Sequence, residues 1–221
     1  SRRLLREMGM PAPASSLTVL EGMGRRFIPS CSTLELRAGE RAVYCGFLDE
    51  PPALTATPRD CALVYLGVGS VPAGVAIRAG GELAEALGCD VYVAGMSEAV
   101  HAVGDHEVTC APRFDVAEIL PRARVFVHHG GQNSVMDALS YAVPQVLVPG
   151  RVFERQFNAE AVENARCGLT VHASQPALIA RAARRLVDEP TLTSGIRGLR
   201  DELSSLGGTK RIVREVEKLV S

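Results

Sequence analysis

From residue 61 onward, short apolar runs alternate with longer stretches whose apolar residues recur every three or four positions. CALVYLGVGS (61–70) is an apolar run that closes in Gly and Ser, the pattern of a strand buried on both faces. Ala73–Leu87 carries helical periodicity, and VYVAG (91–95) follows it. The pattern then predicts a strand over Glu107–Ala111, a helix over Asp115–Arg122, a strand at VFVHH (125–129) and a helix over Ser134–Tyr141. A strand at QVLVPG (145–150), a helix around Gln156–Ala165 and LTVHA (169–173) come next. From Pro176 the pattern is helical, with breaks near Pro190 and Gly207–Gly208. Doubly buried strands alternating with helices predict an α/β fold, a parallel sheet with helices on both faces.

Residues 1–59 have a different texture. They hold a short helix candidate (Arg2–Met8), a Pro/Ser segment, an extended-looking stretch (Arg26–Leu36) and then VYCGFLDEPPALTATPRD (43–60). Pro51, Pro52 and Pro58 amid little apolar periodicity make 49–60 read as a linker. This part is too small and broken to build a core of its own.

Composition narrows the function classes. The chain has 221 residues, 47% of them hydrophobic, and a formal net charge of -1. That balance gives no electrostatic case for nucleic acid or an anionic membrane as the main partner. Lys210 and Lys218 are the only lysines, so the basic residues are almost all Arg, a good fork for phosphate. Cysteines at 31, 45, 61, 89, 110 and 167 form no CxxC pair, which argues against zinc and redox motifs and for a reduced, cytoplasmic setting. No apolar run approaches the roughly 18 residues that span a bilayer, and no signal peptide is visible. The chain opens SRRLLREMG without a Met, so the natural start is expected upstream.

In an open parallel sheet, ligands sit where strands end and loops lead into helices. Four clusters occupy such places: Gly69 and Ser70, Pro112 to Asp115, His129 to Ser134, and Gly150 to Gln156. The third is the most informative. Gly130 and Gly131 let the backbone turn and approach a ligand closely. Asn133 and Ser134 are good N-caps, so a helix is expected to start there with its unpaired N–H groups and positive dipole end facing the loop. That arrangement suits a phosphate. Because strand side chains alternate, only one of His128 and His129 should face the loop, and His129 adjoins the glycines. Ser134 and Asp137 also have capping-box spacing, which would explain those two residues but not HHGGQN. There is no GxGxxG and no Walker GxxxxGK[ST], which disfavours a dinucleotide dehydrogenase or P-loop NTPase. Ser70 reads equally as a helix cap and as a ligand group. Glu154 and Gln156 can hold sugar hydroxyls or can simply begin a solvated helix.

The segments APRFDVAEILPRARVFVHHGGQNSVMDALSYAVPQVLVPG (111–150), ERQFNA (154–159) and CGL (167–169) together resemble nucleotide-sugar glycosyltransferases of the GT-B fold. The likeness is to family 1, the plant natural-product and bacterial antibiotic glycosyltransferases, and to the related N-acetylglucosaminyltransferase of peptidoglycan synthesis. It covers about 61–170. It implies a Rossmann-like domain in which His129, Gly131, Gln132, Asn133 and Ser134, with Ser70, hold the donor diphosphate. Asp137 matches the acid that grips the ribose, and Arg113 and Phe114 fall in the nucleobase loop. Glu154 and Gln156 resemble the acid and Gln that bind the transferred sugar. Arg155 interrupts that pair, so either Glu154 or Arg155 takes the acid's position. Gln132 stands where the family has Trp, Met or Ser, and Asp137 is shorter than the family's Glu.

The resemblance extends to organisation and mechanism. RRFIPSCSTLEL (25–36) and RAVYCGFLDEPP (41–52) resemble the last strand of an amino-terminal GT-B domain and the interdomain connection. It therefore implies that 1–48 is a remnant of the acceptor domain, 49–60 the linker and 61–221 the donor domain. The last helices (191–221) would pack back towards the absent half. The implied reaction is an inverting transfer of sugar from UDP- or TDP-sugar to a hydroxyl of a small-molecule acceptor, a natural product. A helix N-terminus and an imidazole, if protonated, would stabilise the leaving diphosphate without a metal or other cofactor. The catalytic base is expected in the amino-terminal domain. His101, His106 and His172 are expected at the surface. Two alternatives stand beside this: a nucleotide-sugar-binding subunit with a separate acceptor-binding partner, and a GT-B epimerase or hydrolase.

Overall fold

In the computed structural model, which describes residues 26–35, 42–67 and 70–220, the first described elements are β1 (Arg26–Ile28) and β2 (Ala42–Tyr44), a parallel pair. The helix candidate Arg2–Met8, the Pro/Ser segment and Gly69 lie outside the described residues. The apolar runs after residue 60 form one seven-stranded sheet. Its strands are β3 (Cys61–Tyr65), β4 (Asp90–Ala94), β5 (Ala99–Val103), β6 (His106–Ala111), β7 (Ala123–His128), β8 (Gln145–Leu147) and β9 (Gly168–Thr170). They lie in the order β5-β6-β4-β3-β7-β8-β9, and every neighbouring pair is parallel except β5–β6. The helices are α1 (Ala73–Leu87), α2 (Val116–Ile119, continued by a 3-10 turn over Leu120–Arg122), α3 (Gln132–Ser140), α4 (Phe153–Asn164), α5 (Pro176–Asp188), α6 (Ile196–Ser205) and α7 (Gly208–Val220).

Alternation of side chains divides the core into layers. Ala62 and Val64 of β3 and Val125 and Val127 of β7 pack with Ala76, Leu83, Ile179 and Leu186, so α1 and α5 cover one face. Leu63 and Phe126, the intervening positions, meet Ile119, Leu120, Ala138 and Val143 beneath α2 and α3. α4 and α6 extend that second layer through Val162, Leu199 and Leu203. Helices therefore cover both faces, as the doubly apolar strands required.

The described residues between Cys31 and Phe47 form no core of their own. Cys31, Leu34 and Phe47 instead join the cluster of α3, α4 and α6. Main-chain bonds fix the same contact: Phe47 N–H donates to Leu203 O (3.4 Å), Gly208 N–H to Cys45 O (2.8 Å) and Thr209 N–H to Leu48 O (3.1 Å).

Several boundaries differ from the sequence reading. α3 starts at Gln132 rather than Ser134, and its N-cap is Gly131, which makes no side-chain cap bond. Neither Asn133 nor Ser134 is the cap, and no Ser134–Asp137 capping box forms, because both residues already lie within the helix. Nor does Ser70 cap α1, whose N-cap is Pro72. α4 begins at Phe153, ahead of Gln156. Of the extended stretch Arg26–Leu36, whose last residue lies outside the described ones, only the first three of the described residues are strand; the chain turns at Ser32–Leu34. The periodicity missed β5 altogether. It pairs with β6 across the two-residue turn Gly104–Asp105, with Val103 opposite His106. Gly104 has φ +60, the conformation a tight hairpin asks of its first turn residue.

Candidate functional site

β7 carries an apolar alternation up to His128 and then meets two glycines, so the strand stops and the chain turns. His128 is fully buried, its Nε2 3.0 Å from Gln145 Oε1 in β8. Its Nδ1 accepts the N–H of Gly130 at 3.1 Å, which leaves the ring proton on Nε2 to be donated to Gln145. Burial pushes its pKa down to about 3, so it is a neutral structural group. Gly130, at φ +84, is held from its other side by Asn158, whose buried amide donates to the Gly130 carbonyl at 2.9 Å. That carbonyl therefore points towards α4 and away from the first turn of α3.

The consequence falls on four consecutive amides. Val135 N–H is the first of α3 to find its helical acceptor, Gly131 O at 3.1 Å. Among the described residues, the N–H groups of Gly131, Gln132, Asn133 and Ser134 have no protein acceptor. These are the orphan donors of a helix start, where the dipole concentrates about half a positive charge. The other end of α3 is closed: Arg59 Nη2 donates to the carbonyls of Tyr141 and Ala142 (3.3 and 2.8 Å), and Arg200 Nε to that of Ser140 (2.8 Å).

His129 faces the loop, half-buried, as strand alternation predicted. Its Nδ1 lies 3.4 Å from the Tyr65 carbonyl, an acceptor, which places a proton on Nδ1. The ring lies so close over Gly131 that a Cβ there would sit 2.6 Å from Nε2. Burial, with the positive charge of Arg155, holds its pKa below the ordinary value against the opposing pull of the Tyr65 carbonyl and Glu154. His129 is therefore neutral near pH 7, where the condition of a protonated imidazole is not met.

The other predicted residues occupy the same end of the sheet unevenly. Ser70, after β3, accepts from Arg155 Nη1 at 3.0 Å. The Gln132 side chain turns to the Pro29 carbonyl (3.2 Å), so only its backbone N–H faces the loop. Asp137 is partly buried, which raises its carboxyl pKa; burial first, then Asp137 and Asp115, raise the pKa of Tyr141. Tyr141, four residues on from Asp137, packs against the cluster that holds Ile119 of α2, so Asp137 lies on the α2 side of α3, towards the loop after β6. There Arg113 is exposed and Phe114 packs edge-on against Tyr92 with centroids 5.3 Å apart. β6 stands three strands from β7 in the sheet, roughly 14 Å at the usual strand spacing. Glu154 is exposed, and Gln156 Nε2 is spent on the Gly150 carbonyl at 2.9 Å. Cys110 is buried and does not line this edge.

Sequence reasoning gave Asn158 no role, yet it holds the glycine loop; it was visible as a polar residue on the inner side of an amphipathic helix. Arg155, named as an alternative to Glu154 at the acid's position, crosses from α4 to Ser70, a reach that nothing in the sequence signalled. A groove of about 820 Å³ lined by Pro52, Arg59, Tyr141, Pro144 and Arg197 lies at the opposite edge, where the strands begin. Among the described residues no group of His, Cys, Asp and Glu is placed to hold a metal ion, and no helix is long and apolar enough to cross a membrane.

Residues 89–219 match the family described as erythromycin biosynthesis protein CIII-like, C-terminal domain. The 10-deoxymethynolide desosaminyltransferase of Streptomyces venezuelae is 25% identical over 210 residues, covering 92% of this chain and 46% of that protein. Among solved structures, the glycotransferase of kitacinnamycin superposes with a TM-score of 0.80 at 20% identity, over 98% of this chain and 60% of the other. The Streptomyces sp. SF2575 glycosyltransferase SsfS6, complexed with thymidine diphosphate, does so with a TM-score of 0.69 at 22% identity, over 98% and 56%. The chain spans about half the length of the curated relatives that it matches along most of its own length.

Proposed function

This chain belongs to the erythromycin biosynthesis protein CIII-like C-terminal domain family, from natural-product glycosyltransferases of the GT-B fold, and we propose that it binds the nucleotide-sugar donor. The observation that carries the reading is the row of four N–H groups from Gly131 to Ser134 without a protein acceptor, beside His129 and Ser70. A diphosphate offers oxygens to those donors and negative charge to the dipole. From there the nucleoside runs along the strand ends, with its ribose hydroxyls at Asp137 and its base at Arg113 and Phe114. Glu154 and Gln156 lie on the side of the transferred sugar. TDP-bound SsfS6 makes a thymidine diphosphate donor a reasonable choice beside UDP.

In the whole enzyme, an acceptor hydroxyl oxygen attacks the anomeric carbon from the face opposite the leaving group. The bond from that carbon to the β-phosphate oxygen breaks, and its electron pair leaves with the nucleoside diphosphate. The hydroxyl proton passes to a base contributed by an amino-terminal domain that binds the acceptor, a small natural product. In this reading 1–48 belong to that domain, 49–60 are the linker and 61–221 are the donor domain. Donors fixed before reaction stabilise the developing charge without reorganising; one such donor is typically worth about 10²–10³ in rate.

Calorimetric titration with TDP and with UDP tests the reading. We expect one of them to bind, and His129→Ala and Asp137→Ala each to weaken it. Unchanged affinity in both variants would remove the assigned site.

A further inference from the structure

The diphosphate reading leaves an unbalanced charge. A nucleoside diphosphate brings at least two negative charges, and the break of the anomeric bond adds another. Against this the start of α3 offers about half a positive charge. His129 is neutral, with its proton on Nδ1, and Glu154 beside the loop is acidic. A full positive charge near the loop would offset the remainder.

Arg155 is placed to supply it. It sits in the first turn of α4. Its backbone is packed on the glycine loop: a Cβ at Gly130 would lie 3.0 Å from the Arg155 carbonyl oxygen and 3.5 Å from its Cβ. The side chain therefore starts at the loop itself. It then reaches Ser70 Oγ, 3.0 Å from Nη1, on the loop that follows β3. β7 lies between β3 and β8 in the sheet, so the guanidinium passes across the carboxyl end of the strand that carries His129. Among the described residues no carboxylate forms an ion pair with it. Its charge is also felt at the imidazole, whose protonation it opposes.

We propose that Arg155 is the residue that binds the donor's β-phosphate, exchanging its hydrogen bond to Ser70 for phosphate oxygens. This rests on the donor-binding reading above. A guanidinium has five N–H donors in a planar fork and keeps its charge at any physiological pH, which suits a phosphate group better than a neutral imidazole does. Because Arg155 is flanked in the first turn of α4 by Glu154 and Gln156, which the donor-binding reading puts at the transferred sugar, it meets the phosphate next to that sugar, the one whose oxygen receives the electron pair. In a chain whose imidazole is neutral, the charge-stabilising role moves to this arginine.

The test compares TDP with thymidine monophosphate, which lacks the β-phosphate, in calorimetric titrations of the chain and of Arg155→Ala and Arg155→Lys. We expect Arg155→Ala to bind TDP about 10–100-fold more weakly, the range of a charge-assisted phosphate contact. Thymidine monophosphate should bind it as tightly as it binds the unaltered chain, which shows the fold intact. Arg155→Lys, a point charge without the fork, should fall between. If Arg155→Ala binds TDP as the unaltered chain does, or loses both nucleotides equally, the role of Arg155 is wrong and the donor site stands. If the unaltered chain binds neither TDP nor UDP, the donor-binding reading itself falls, and this proposal with it.

Discussion

The Asn158 amide donates to the carbonyl of Gly130 at 2.9 Å, joining α4 to the glycine loop across 28 residues of chain. The Gly130 N–H is taken by His128 at the same time. Both backbone groups of one glycine are thus fixed by buried side chains, one from each flanking element. The direction of the next four amides follows from that double anchor. Removing the amide in Asn158→Ala should cost about 1–3 kcal/mol by leaving the Gly130 carbonyl without its partner. It should also weaken nucleotide binding, because the loop is free to rotate. Thermal unfolding and calorimetry of the variant check the two effects separately.

Gly131 separates a steric demand from a conformational one. Its φ of -66 is open to any residue, so Gly131→Ala meets no backbone penalty. The added Cβ would nevertheless fall 2.6 Å from His129 Nε2 and push the imidazole aside. We expect a melting temperature close to that of the unaltered chain and nucleotide affinity reduced by about tenfold, the low end of an overpacking cost. Unaltered affinity would show that His129 can move at no cost to binding.

His128 makes the fold acid-sensitive. Burial pushes its pKa from 6.5 down to about 3, so the unfolded chain binds a proton that the folded chain refuses. The stabilisation is complete above about pH 6.5, declines as the pH falls below that and is lost on approach to 3. Within that window it contributes a slope of about 1.4 kcal/mol per pH unit. Denaturant unfolding at pH 7, 6, 5 and 4 measures the total slope, and His128→Asn, whose side chain does not titrate, should lack this share.

His129 gives binding the opposite dependence on pH. Its pKa lies below the ordinary value because of burial, with Arg155 adding to the shift and the Tyr65 carbonyl and Glu154 opposing it. The ring is neutral near pH 7, but the negative charge of a bound phosphate favours its protonated form, which carries a proton on Nε2 as well as Nδ1. Nucleotide binding should therefore take up protons increasingly as pH falls from 7 towards 5.5, and affinity should rise with it. Titrations in buffers of different ionisation enthalpy read this directly, and His129→Gln should abolish it.

All six cysteines are free and buried. Desolvation raises Cys31 and Cys61 to about 11 and Cys167 to about 12. Their thiolates are scarce as well as sheltered. A thiol-specific chromogenic reagent at pH 8 should find almost none of them in the folded chain and all six after denaturation. Rapid labelling of one or more thiols in the folded state would contradict this burial.

The amino-acid sequence determined the α/β class, the limits of α1, the strand at VFVHH and the breaks at Pro190 and Gly207–Gly208. Those depend on local periodicity and on helix-breaking residues, which act within a few positions. It also marked His129 over His128 as the residue facing the loop, since strand alternation is a local rule. The hairpin strand Ala99–Val103 escaped because AVHAV, exposed at a sheet edge, has no doubly apolar run to announce it. Only the tertiary structure decided that α3 starts at Gln132, capped by Gly131, and not at Ser134, because Asn158 and His128 fix the loop from two other elements. The neutrality of His129 was likewise beyond the sequence, since it depends on how deeply the ring is buried and on a guanidinium that arrives from 26 residues away. Desolvation and long side-chain reach act through space, and a linear pattern carries no record of them.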